Sequence, residues 1–125
     1  MNATILALIL ASVTCSAIAQ ISLKFGMSGA RMQSAIATHD GWRIAISAAT
    51  DPAVVGGLAL YALGAVVWLA VLARVEVSQA YPFVGLGFLF TMALGMILLG
   101  DAVNALRICG TLLVVAGVYL VAVSG

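Results

Sequence analysis

Ser12, Ser16, Gln20 and Lys24 recur at intervals of four in the apolar stretch that opens the chain. On a helix of about 3.6 residues per turn these positions form one slanting stripe, here three neutral hydrogen-bonding groups followed by a cation. A polar stripe is costly against lipid, so it should turn toward a groove or a partner. Its chemistry is binding: hydroxyl and amide groups exchange hydrogen bonds with a sugar or phosphate, and Lys24 attracts an anion. Each residue also has a purely structural use. Ser12 and Ser16 can bond the carbonyl four residues back. Gln20 can make an interhelical bond worth about 1 kcal/mol, and Lys24 can snorkel into headgroups. The stripe contains no carboxylate, which removes the simplest means of coupling transport to protons.

A second polar group opens a later apolar run as Ser78-Gln79-Ala80-Tyr81-Pro82-Phe83. Pro82 has no N–H to offer the preceding turn, so it should bend or loosen the helix there. Tyr81 adds an amphipathic ring near the membrane interface. No Ser-His-Asp, paired-carboxylate, HExxH, CxxC or glycine-rich phosphate-loop pattern is present. The acids Asp40, Asp51, Glu76 and Asp101 all fall in connections or at helix caps. The expectation is a chain that is not an enzyme and uses no cofactor or metal. Cys15 and Cys109 lie inside apolar stretches and read as small packing residues.

The elements that must position these residues are membrane helices. Apolar residues make up 65% of the 125-residue chain and charged residues 7%, against roughly a quarter charged in a soluble domain. A net charge of +1 offers no basic surface for nucleic acid. About twenty apolar residues cross the hydrocarbon layer as a helix, and four such runs are expected, over roughly residues 4–25, 52–73, 78–99 and 102–123. Together they make one four-helix transmembrane domain over residues 1–125. Asp51-Pro52 reads as an N-cap followed by proline at the first helical position. Gly100 followed by Asp101 reads as a helix stop and then the cap of the fourth helix. No Lys or Arg precedes the first run, so it reads as a permanent helix and not a signal peptide.

The connection over residues 26–51 is much longer than the others. There Trp42 marks either a short interfacial segment or an early start of the second helix; His39 has no assigned role. Lys24, Arg31, Arg43 and Arg107 fall at the first and third connections, and only Arg74 on the other side. The positive-inside rule then places those two connections in the cytoplasm and both termini outside. Gly57 and Gly64 are seven apart, as are Gly110 and Gly117, and Gly85 and Gly87 lie near the start of the third run. Small residues at such intervals let membrane helices approach closely. The fourth run is otherwise almost wholly aliphatic, so Gly110 and Gly117 are the candidate subunit interface.

The chain resembles the four-helix members of the drug/metabolite transporter superfamily, which include the small multidrug resistance proteins. The likeness runs through "SAIAQISLKFG" and then from Trp68 to the C-terminus, most specifically in "VVWLAVLARVEVSQAYPFVGLGFLF", "LLGDAV" and "GTLLVVAGVYLV". It implies an all-α integral membrane protein with a small multidrug resistance-like bundle. Multidrug members carry a membrane-embedded glutamate where this chain has Ser16, and a functional tryptophan where it has Phe83. Both departures count against proton-coupled export of cationic drugs.

"AIAQISLKFG" and "SQAYPF" are similar instead to the two small subunits of the bacterial flippase for undecaprenyl-phosphate aminoarabinose. That resemblance implies a multi-pass protein of the bacterial inner membrane that moves a lipid-linked sugar phosphate for lipid A or cell-envelope modification. The tail of such a lipid stays in the bilayer, so only its head group needs a polar path. Ser16, Gln20, Lys24, Tyr81 and Pro82 are the expected substrate contacts. Four short helices leave little room for a passage, so a homodimer or a heterodimer with a second small subunit is expected. Two alternatives stand beside this expectation: an exporter of small cations or guanidinium compounds, and a non-transport assembly subunit of a membrane glycosyltransferase complex.

Overall fold

The computed structural model describes residues 2–124, which are helical with no strand among them. Helix α1 spans Ala3–Met27, α2 Ala30–Ala37, α3 Gly41–Thr50 and α4 Pro52–Leu72. A third span, Val77–Leu99, is built in four pieces. These are α5 (Val77–Ala80), a 3₁₀ turn (Tyr81–Phe83), α6 (Val84–Leu94) and one π-helical turn (Gly95–Leu99). Helix α7 spans Ala105–Ser124. Four stretches are therefore long and apolar enough to cross a bilayer, and the chain is an all-α, multi-pass membrane protein.

Local chemistry fixes the helix starts. The Asn2 side chain accepts a hydrogen bond from Ile5 N at 2.9 Å and opens α1. Asp51 Oδ1 accepts from Ala53 N at 2.9 Å and Val54 N at 3.2 Å, with Pro52 in the first turn of α4. These bonds satisfy amide groups that have no partner inside the helix. Asp40 does the same for Trp42 N and opens α3. The first connection thus contains two separate helices, and α3 is not an early start of α4, because the extended backbone of Asp51 stands between them. Met32 of α2 is buried, while Trp42 of α3 is 73% exposed.

The fourth span differs from its expected form. Asp101 does not cap it. The helix begins at Ala105, and Asn104 Oδ1 accepts from Arg107 N at 2.8 Å. The cause lies upstream. Gly100 takes a left-handed conformation (φ 69°), and Asp101 N donates back to Gly95 O at 3.0 Å. The Asp101 backbone closes the third span and turns its side chain back over Gly95, and the next side chain with a capping oxygen takes over at 104.

Helix α1 packs chiefly against α4, then against α6, and α6 against α7. Gly57 and Gly64 are what let α1 and α4 touch. A Cβ on Gly64 would stand 3.2 Å from Cys15 Cβ and 3.3 Å from Ser12 O, so the two backbones are almost in contact there. Two serines fasten the same seam: Ser12 Oγ donates to Gly64 O and Ser22 Oγ to Ala53 O, each at 2.7 Å. Such bonds are worth about 0.6 kcal/mol each in a membrane protein. Gly85 performs the same service for α6 and α7, since a Cβ there would come within 2.6 Å of Val114 Cγ1.

The buried core (Ile5, Ile9, Val13, Val71, Ala80, Phe83 and Val118) gathers toward the end that holds both chain ends and the second connection. Helix α7 is the outlier: 6% of its apolar stretch is buried within the chain, against 28% for α1.

Candidate functional site

A groove runs between α1, α4, α6 and α7 from the packed end toward the third connection. It has two joined parts that share Ser16, Tyr61, Val84 and Gly87. The inner part, of about 200 Å³, is lined further by Ser12, Trp68 and Tyr81. The outer part, of about 560 Å³, adds Gln20 from α1, Thr91 and Met92 from α6, and Asp101, Arg107 and Thr111 from the third connection and α7. Val84, Phe88 and Met92 give this part an apolar wall. Gly87 lies where α6 meets α1, and a Cβ there would stand 3.4 Å from Val13 Cγ1.

The polar stripe of α1 divides its work according to depth. Ser12 is buried, and its hydroxyl is committed to the Gly64 carbonyl. Its role is structural. Ser16 is half-buried and lines both parts of the groove, while Gln20 is exposed and lines the outer part. Lys24 is exposed and lines neither part. The cation in the groove is Arg107, contributed by α7.

Tyr81 lines the inner part. With Pro82 it also borders a separate shallow groove on the outside of α6 and α7, beside Gly85, Val114 and Gly117. Pro82 itself does not reach the main groove; it acts through the backbone, converting the helix to the 3₁₀ turn at Tyr81–Phe83. A Cβ placed on Gly110 or Gly117 would meet no atom of another element within 4 Å among the described residues, in contrast to Gly57 and Gly64.

Several groove residues escape sequence reasoning. Tyr61 and Trp68 sit in an otherwise aliphatic helix, and a lone aromatic polar group in such a span was the available signal. Asp101 and Arg107 read as a cap and a topology charge, because nothing in their order reveals that the turn at Gly100 leaves both lining one groove. Arg107 is held by its own loop: Nη1 donates to Ala102 O at 2.9 Å. Thr111 Oγ1 donates to Arg107 O at 2.9 Å and also lies 3.6 Å from Met92 Sδ, tying α7 to α6. The groove is polar along α1 and α7 and largely apolar along α6.

The comparisons with known proteins agree on one family. The chain is 33% identical over 116 residues, 91% of its own length and 93% of the relative's, to a protein of Pseudomonas paraeruginosa (strain DSM 24068 / PA7) named probable 4-amino-4-deoxy-L-arabinose-phosphoundecaprenol flippase subunit ArnE. Proteins of the same name from Pseudomonas fluorescens match at 31% over 121 residues in strain ATCC BAA-477 / NRRL B-23932 / Pf-5, covering 93% of each chain. In strain Pf0-1 the match is 42% over 65 residues, covering 50% of this chain and 57% of the relative. No family model matches the chain, and no solved structure does.

Proposed function

The chain belongs to the family of ArnE flippase subunits, and from that premise we propose that it is one subunit of a transporter carrying an undecaprenyl-phosphate-linked amino sugar across the bacterial inner membrane. It is a transporter and not an enzyme on this reading, and its product serves modification of lipid A or the cell envelope. The observation that carries the reading is the groove itself, where hydroxyl and amide groups of Ser16, Gln20 and Tyr61 face an apolar wall of Val84, Phe88 and Met92. A lipid-linked sugar keeps its tail among acyl chains, so its head group alone must cross the low-dielectric layer. Neutral hydrogen-bonding side chains lower that barrier without the desolvation cost of a buried charge. Ser16 and Gln20 take the head group in turn, and Tyr81 receives it at the inner end. Lys24, one turn beyond Gln20 and outside the lining, serves only to draw the anion toward this end of the bundle. Net movement follows from consumption of the lipid on the far side.

The groove is flanked by α7, which is largely uncovered within the chain. A second small subunit, or a second copy, seats on α7 along Gly110 and Gly117 and closes the passage. The relatives' names call them subunits, which is consistent with such a partner.

The test is reconstitution of the chain with its candidate partner in vesicles, followed by the initial rate of movement of the amino-sugar lipid. Gln20→Leu is expected to lower that rate about tenfold, the loss of one hydrogen bond to a charged or strongly polar group, with helix content unchanged. Lys24→Ala is expected to lower it by less. A Gln20→Leu transporter as fast as the native one would reject the site, and absence of movement by the native assembly would reject the function.

A further inference from the structure

Asp101 and Arg107 line the same outer groove, yet neither enters an ion pair among the described residues, where Arg43–Asp40 is the pair that forms. Both side chains are exposed. Here the backbone keeps them apart. Gly100 in its left-handed conformation reverses the chain, the π-helical turn ends in the bond from Asp101 N to Gly95 O, and the Asp101 carboxylate is folded back over Gly95. A Cβ at residue 95 would lie 2.6 Å from Asp101 Oδ2, so only glycine leaves room for that carboxylate. Arg107 is meanwhile tethered to the Ala102 carbonyl through Nη1. That contact leaves other guanidinium N–H groups free to donate. π-Helical turns recur at functional sites because they re-aim side chains at the cost of regular hydrogen bonding.

We infer that Asp101 and Arg107 form a two-point receptor for a head group that carries a phosphodiester and a primary ammonium. Arg107 takes the phosphate, which its planar, multiply donating guanidinium suits better than a lysine would. Asp101 accepts hydrogen bonds from the ammonium. Gln20 of α1 lines the same outer part as these two residues. The inference rests on the transport reading above and adds to it the group that is read: the amine, and not only the phosphate or the tail. Phosphatidylethanolamine carries the same pair of charges, so the receptor's ligand is either the amino-sugar lipid or this bulk lipid.

The experiment measures lipid binding to the full chain with its partner in vesicles of phosphatidylcholine and phosphatidylglycerol, using the undecaprenyl-phosphate-linked amino sugar and its N-acetylated form. The native assembly is expected to prefer the free amine at least about tenfold, the scale of one charge-assisted hydrogen bond. Asp101→Asn should reduce that preference to none. Gly95→Ala should do the same with every charge retained, by displacing the carboxylate. Arg107→Gln should weaken both lipids about tenfold, and Arg107→Lys by less. A native assembly without preference, or an Asp101→Asn assembly that keeps it, overturns the receptor. Amine preference in an assembly that moves no lipid would sink the transport reading and leave the receptor standing. Added phosphatidylethanolamine distinguishes the sources: displacement by it only at far higher concentration than by the amino-sugar lipid assigns the site to the sugar lipid, and the reverse order assigns it to bulk lipid.

Discussion

Gly56 and Gly57 are neighbours in α4, alike in composition and hydropathy, and leucine is expected to have opposite effects at the two. Around Gly56 there is nothing within 4 Å of a Cβ. At Gly57 a Cβ would stand 3.0 Å from Leu23 Cγ and Cδ2 and 3.2 Å from the Ala19 carbonyl oxygen. Leu23 can swing aside, but Ala19 O is backbone and cannot. Ordinary contact lies at about 3.5–4.0 Å, so α1 and α4 must part by several tenths of an ångström for the Cβ alone. Three further carbons then need space in the same seam. Overpacking of this kind costs about 1–3 kcal/mol. Both substitutions gain the same helix propensity, about 0.5–1 kcal/mol over glycine, so their difference isolates the packing term. In reversible unfolding in mixed micelles followed by circular dichroism, Gly56→Leu should be neutral or slightly stabilising. Gly57→Leu should lie about 2 kcal/mol below it, a factor of about thirty in the folding equilibrium. Tyr61 sits one turn along α4 from Gly57, so the same variant should also slow transport by moving Tyr61 away from Ser16. Equal stabilities at the two positions would refute the close seam between α1 and α4, and with it the placing of the groove wall.

Two other expectations are more local. Asn104→Ala removes the side-chain cap of α7 and should cost about 1 kcal/mol in the same unfolding measurement, while Asp101→Asn should leave stability unchanged; the opposite order would restore Asp101 as the cap. A Cβ at Gly110 or Gly117 meets no other element among the described residues, so with leucine at both the stability of the separated subunit should stay within about 0.5 kcal/mol. Association with the partner, read by energy transfer between labelled subunits in vesicles, should be lost, and intact association would remove this face of α7 from the interface.

What the sequence by itself determined are the features that depend on near neighbours. The number of membrane spans, and the Asp51-Pro52 start of α4, follow from hydropathy and capping, which act within a turn or two of chain. The polar stripe of α1 was equally legible, because spacing of four puts residues on one face whatever surrounds them. Which members of the stripe line the groove was not. Ser12 turned out to bond Gly64, 52 residues away, and Lys24 lies beyond the groove that Ser16 and Gln20 line. Glycines at the same spacing likewise split, Gly57 and Gly64 spent inside the chain and Gly110 and Gly117 left open. Only tertiary structure decided these outcomes, since each depends on which helix stands opposite. The placing of Asp101 and Arg107 in one groove is the clearest case. It requires a left-handed glycine, a π-helical turn and the approach of α1 to act together, and no periodicity in one strand of sequence encodes that convergence.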